Sequence, residues 1–304
     1  MKSNINTNYI DLARFVGIYA VVLGHFTPFI GVGDDIGRKL LYAFHVPLFF
    51  VVSGMLSKPT PILKSFYSLM IPYLIYNIIS IIKMDFKALF TFDALELNNS
   101  PTWFFPALFF IKTIANYIHK KIPYLIAIII AGVTLLYYFD IEIPRLFGLH
   151  AVIYGLPFFL LGKFIKEKME VILSVGVGTL FCCGIILLSA CLCNKRFDLY
   201  SSQIHNPIVY FISSGLASIW ILAICNRIFI YIPKTLHRFI YTNSRGTMFI
   251  LGTHYIALGV LSKYIIPEVH LSFLLKTLIV ALSSIPYYYI IRYTYNKCPI
   301  LYGR

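Results

Sequence analysis

An arginine and a histidine stand inside the first apolar stretch of the chain, YIDLARFVGIYAVVLGHFTPFI, at Arg14 and His25. An ionisable group inside a membrane helix is costly, and those that persist mark binding or reaction sites by default. At about 100° per residue, the eleven steps from Arg14 to His25 offset the two side chains by only ~20°, so they share one helix face. At ~1.5 Å per residue they lie ~16 Å apart along the axis, about half a bilayer's hydrocarbon core. One face thus carries a fixed cation near one surface and a titratable base near mid-membrane. A guanidinium can hold a phosphate, and a neutral imidazole can take a proton from a hydroxyl. The competing reading is a snorkelling arginine and a buried, hydrogen-bonded histidine.

Further along, several side chains join this list. Asp11 is three residues before Arg14 and can pair with it at the inner interface. Gly17 and Gly24 let a neighbouring helix or a thin ligand approach closely. In FHVPLFFVVSG, His45 lies near the outer end of a second apolar stretch, while Ser53 and Gly54 read as small-residue helix packing. In PTWFFPALFF, Trp103 reads as an interfacial anchor. In GLHAVIYGLPFFLLG, His150 reads as a solvated interface histidine. In YTNSRGTMFILGTHY, Asn243 and Ser244 suit helix caps, and His254 lies well inside the following apolar run. A second intramembrane histidine argues for a polar internal cavity. The six cysteines read as small apolar residues, and Cys191 and Cys193 have no nearby paired ligands, so no metal is expected.

These side chains need a scaffold, and composition says which kind. The 304 residues are 59% hydrophobic and 12% charged, against ~25% charged in soluble domains. The expected fold is all-α: a polytopic integral membrane protein with about ten transmembrane helices, forming one membrane-embedded domain over 1–304. Long continuous apolar runs exclude a barrel, whose strands alternate. The apolar segments are 9–30, 40–57, 65–82, 103–119, 123–139, 146–165, 171–193, 207–230, 247–265 and 272–292, each near the length of a span. Pro144, Pro157, Pro207 and Pro233 make the sixth and eighth the least regular. The net charge of +14 is dispersed between apolar runs, as orienting loop charges are, so nucleic acid is not an expected partner. Basic residues concentrate in the loops on the side of the N-terminus, which favours both termini in the cytoplasm. No small-residue cleavage site follows the first stretch, so it reads as an uncleaved span.

Arg14, ten residues, then His25 reproduces the R-x10-H signature of the acyltransferase-3 family of integral membrane O-acyltransferases. FHVPLFFVVSG, PTWFFPALFF, the Pro-Phe-Phe-Leu-Leu-Gly stretch at 157–162 and the Asn-Ser…His-Tyr stretch at 243–255 follow in the same order. The set resembles the fucose 4-O-acetylase-like branch over nearly the whole chain. The resemblance implies about ten helices in a bacterial inner membrane, acetyl-CoA bound from the cytoplasm, and acetyl delivered to a hydroxyl of a cell-surface or lipid-linked glycan. It implies that Arg14 and His25 are essential, Arg14 at the coenzyme and His25 as the base. His45, His254, Asp11, Trp103 and Asn243 are accessory candidates. Many family members carry R-x-x-R before the third helix; here KSFYSLMIP offers only Lys64 as a second coenzyme contact. The extracytoplasmic hydrolase-like domain of some members is not expected. The distance from Arg14 to His25 is of the order of the pantetheine arm that carries the thioester. The rival readings are a proton-coupled transporter or flippase of a glycan or lipid-linked saccharide, with His25 and His254 as a relay, and a non-catalytic scaffold.

Overall fold

The computed structural model describes residues 8–26, 36–78, 82, 99–118, 121–143, 148–193, 206–264 and 273–304. Among them there are twelve α-helices and no strand. Backbone groups surrounded by lipid must be bonded within their own segment, and a helix does this for any apolar run. Accordingly each of the ten apolar segments contains a helix. They are α1 (Asn8–His25), α2 (Ile36–Met55), α3 (Ile62–Tyr76), α4 (Phe104–Ala115), α5 (Ile122–Tyr138), α6 (Leu149–Ile165), α8 (Val177–Cys193), α9 (Pro207–Phe229), α11 (Thr247–Tyr264) and α12 (Phe273–Thr294). Two further helices are short: α7 (Met169–Ser174) and α10 (Lys234–Arg245).

Among the described residues, three stretches are long and apolar enough, by length and composition, to cross a bilayer: Leu149–Ser174, Pro207–Phe229 and Phe273–Thr294. Five shorter apolar helices lie in α2, α3, α5, α8 and α11. α1 carries Asp11, Arg14 and His25, which dilute its apolarity. It can do so because it is central. Twelve of its residues, Tyr9 to Gly24, are buried, and it packs against α2, α9, α10, α11 and α12. The peripheral helices show the opposite pattern. α5 is almost entirely apolar yet buries only Val133 and Thr134, and Phe181, Ile186, Leu274 and Leu278 lie more than half exposed on α8 and α12. So much exposed apolar surface is untenable in water and suits a hydrocarbon solvent. The protein is a membrane protein.

The seventh apolar segment is not one helix. α7 ends at Ser174, Val175 turns out of the helix at ψ 132, and α8 starts at Val177. Arg227 of α9 donates to the carbonyl of Val175 at 2.6 Å, so the carbonyl released by the break is satisfied. α2 and α6 meet most closely. A Cβ built on Gly54 would fall 2.0 Å from the carbonyl oxygen of Phe159, and one built on Gly162 would fall 2.0 Å from that of Val51. The two backbones touch where each helix has no side chain, as the reading of Ser53 and Gly54 expected. Gly17 and Gly24 likewise admit α2, through Leu48 and Tyr42 respectively. Those two contacts also show that α1 and α2 are antiparallel.

Candidate active site

α1 places Asp11, Arg14 and His25 within about 60° of one another around its axis, as helix geometry requires. What that face meets is α10 and the start of α11. The Ser244 hydroxyl donates to Asp11 Oδ1 at 2.6 Å. Arg14 Nη2 donates to Thr247 Oγ1 at 3.0 Å, and its Nη1 stands 3.9 Å from Asp11 Oδ1. The expected Asp11–Arg14 pair is therefore present but long, and the serine makes the closer contact. The Tyr19 hydroxyl donates to Asn243 Oδ1 at 2.7 Å. A polar seam thus runs between α1 and the α10–α11 corner.

At its far end the seam reaches two histidines. His25 Nδ1 and His254 Nε2 are 3.0 Å apart. His254 is 1% exposed, and its Nδ1 lies 3.0 Å from the carbonyl oxygens of Ile250 and Leu251. Carbonyl oxygens only accept, so this nitrogen must carry the proton. In the neutral ring, Nε2 of His254 is then an acceptor, and His25 Nδ1 must donate to it. The basic lone pair of His25 therefore sits on Nε2. Two backbone carbonyls, acting through one histidine, fix the tautomer of the other. The acidic residues of 27–35, 83–98, 194–205 and 265–272 lie outside the described residues, whereas Asp140 and Glu142 are described and exposed.

His45 comes to the same end of α1. It is 3% exposed, its Nδ1 donates to the Leu41 carbonyl at 2.6 Å, and its Cε1 would stand 4.0 Å from a Cβ on Gly24. Three histidines from three helices thus gather near the end of α1. Among the described residues, no three His, Cys, Asp or Glu converge as a metal site. A cavity of about 420 Å³ opens beside His254 between α1, α11 and α12. Val22, Leu258 and Val280 line it, and Thr253 and Tyr287, hydroxyls 3.2 Å apart, are among its few polar groups. It can hold a hydrocarbon chain.

The Arg14 end is cationic. Arg245, two residues before Thr247, stacks on the Tyr295 ring at 4.1 Å, and Arg304 stands 4.6 Å from the same ring. Stacked guanidiniums keep their N–H edges for an anion. Lys64 lies on the exposed first turn of α3, and no described contact joins it to Arg14.

Three assignments are corrected. Asn243 and Ser244 are not caps of the following helix. They lie in the last turn of α10, fully buried, with their side chains against α1. Trp103 is not an exposed interfacial anchor but 8% exposed, on a 3₁₀ turn at Ser100–Trp103. Asn99, beside that turn, fixes it by donating to the carbonyls of Tyr76 and Gly252. His150 is not solvated; it is completely buried. Sequence reasoning missed Tyr19 and Thr247, and read Ser244 only as a cap. α10 had a signal, since Leu236, Phe239 and Ile240 follow helical spacing among basic and polar residues.

A family model described as an acyltransferase domain matches residues 7–293. No curated protein and no solved structure matches the chain.

Proposed function

The chain belongs to this acyltransferase-3 family, and from that premise we propose that it moves an acetyl group from cytoplasmic acetyl-CoA to a hydroxyl of a cell-surface or lipid-linked glycan. The observation that carries the reading is the His25–His254 contact at 3.0 Å, with His254 Nδ1 against two carbonyls. It supports His25 Nε2 as the general base. The acceptor hydroxyl gives its proton to that nitrogen while its oxygen attacks the thioester carbonyl. The C–S bond breaks, and the coenzyme thiolate takes the proton back from His25. His254 positions the base. Arg14, ~16 Å away along the helix, sits where a phosphate of the donor would lie when the thioester is at His25. Arg245 and Arg304 widen that cationic end.

The direct test is mass spectrometry of surface glycan from cells with and without the protein. O-acetyl groups that depend on the protein, and on intact His25, are expected. A proton-coupled glycan transporter would use the same histidine pair as a relay and change no covalent bond. An unchanged acetyl content together with gradient-driven glycan movement would replace the enzyme reading by that one.

On donor binding, Arg14→Ala is expected to weaken coenzyme A binding about tenfold or more, the scale of one charged hydrogen bond. Arg14→Lys should retain part of it, because charge survives while the planar fork does not. Calorimetric titration of folded variants measures both. Unchanged affinity in Arg14→Ala would leave the arginine with a structural role only.

The orientation we propose places both termini in the cytoplasm. In a background lacking the exposed Cys298, a cysteine introduced within 31–35 should react with an impermeant reagent from outside. One at Lys58 should react only after permeabilisation. The reverse pattern would invert the topology.

A further inference from the structure

Two cations carried by apolar helices, Lys112 of α4 and Lys163 of α6, face one cleft of about 160 Å³. Ser57, Lys58 and Asn116 also line it. The cleft lies at the Arg14 end of the bundle. α1 and α2 are antiparallel, so the end of α2 that carries Gly54 lies at the level where α1 begins, and Gly54 packs on the α6 backbone at Phe159 and Lys163. The cleft is built rather than accidental. Lys163 Nζ donates to the carbonyls of Ala115 and Ile118 at 2.8 Å each, at the C-terminal end of α4. Two of its three donors and part of its charge are met by the negative end of that helix. Asn116 Nδ2 donates to the Thr60 carbonyl at 2.9 Å and so holds the turn that carries Ser57 and Lys58.

Lys112 is different. It is half-buried, and among the described residues it has no hydrogen-bond or ion-pair partner. None of the described residues lining the cleft is acidic. Two half-buried lysines and a third on the exposed rim line one small cleft, and like charges repel more strongly in a medium of low dielectric than in water. Like charges so placed in or beside a membrane favour a ligand of opposite charge. We propose that this cleft binds a phosphate ester. A phosphate presents several acceptor oxygens and up to two charges to the Lys112 ammonium, to the remaining donor of Lys163 and to Lys58 on the exposed rim, and a cleft of this volume leaves room for part of its substituent. Two sources carry that chemistry at a membrane surface: the phosphates of a coenzyme A-type nucleotide and the headgroup of an anionic phospholipid. Only the nucleotide source rests on the transfer reading above.

The test titrates full-length protein in detergent with 3′,5′-ADP. It also measures, by native mass spectrometry, the retention of phosphatidylglycerol relative to phosphatidylethanolamine. Lys112→Met removes the charge and keeps the shape; Lys112→Arg restores the charge. One of the two ligands is expected to bind the native protein and the Lys112→Arg variant, and to bind Lys112→Met about tenfold more weakly or worse. Loss of 3′,5′-ADP binding assigns the nucleotide, and loss of phosphatidylglycerol retention assigns the lipid. If neither ligand distinguishes native protein from folded Lys112→Met, the proposal is overturned and the lysines only snorkel. Should Lys112→Met fail to fold, Lys58→Met, on the exposed rim, carries the same test with a several-fold loss expected. Neither arm measures acyl transfer, so an inactive acyltransferase reading and an empty phosphate site give different results.

Discussion

His25→Ala is expected to abolish acetyl transfer, by at least the ~10²–10⁴-fold typical of a removed general base, while leaving coenzyme A binding largely intact. The expectation rests on the tautomer chain from the Ile250 and Leu251 carbonyls through His254 to Nε2 of His25. His254→Ala should lower kcat with little change in the donor KM. A purely structural role would instead lower the yield of folded protein and leave kcat per folded molecule unchanged. No described hydrogen bond joins His45 to His25, as one joins His254 to it, so His45→Ala is expected to cost less than His25→Ala. Initial rates with purified, folded variants measure all of this. Near-native transfer by His25→Ala, with loss in His254→Ala or His45→Ala, would assign the base to another helix. Activity in all three would end the proposed mechanism.

The second large effect is on folding. Gly54→Leu should leave little or no folded protein, because even a Cβ at Gly54 would lie 2.0 Å from the Phe159 carbonyl oxygen and 3.1 Å from the Lys163 backbone nitrogen. These are backbone atoms that no rotamer can move aside, so the cost should exceed the ~1–3 kcal/mol usual for overpacking. Gly162→Leu meets Val51 in the same way and should fail alike. Gly259 in α11 has nothing within 4 Å of its built Cβ. There Gly→Ala should be neutral or stabilise by ~0.5–1 kcal/mol through helix propensity. Monodisperse yield and thermal midpoint in detergent separate the two outcomes. Equal tolerance at Gly54 and Gly259 would mean that α2 and α6 do not touch.

The sequence by itself determined where the helices are. Lipid leaves an apolar segment one way to bond its backbone, so runs such as 123–139 and 207–230 become α5 and α9 with ends shifted by a residue or so. It also determined that Arg14 and His25 share a face, because helix geometry is local, and the order of short motifs was enough to suggest the acyltransferase family. The break at Val175 and the helix α10 were less legible. A break inside an apolar run needs a partner for its carbonyl, which here is Arg227, fifty-two residues away. Only the tertiary structure decided which side chains meet. The fold brings Thr247 to Arg14, Ser244 to Asp11, His254 to His25, and Lys112 and Lys163 to one cleft; it also buries Trp103 and His150. The reason lies in the solvent. In water, the apolar face of a helix marks what it buries. In a bilayer the lipid is as apolar as a leucine, so an apolar face can meet either lipid or protein, and hydrophobic pattern alone does not say which.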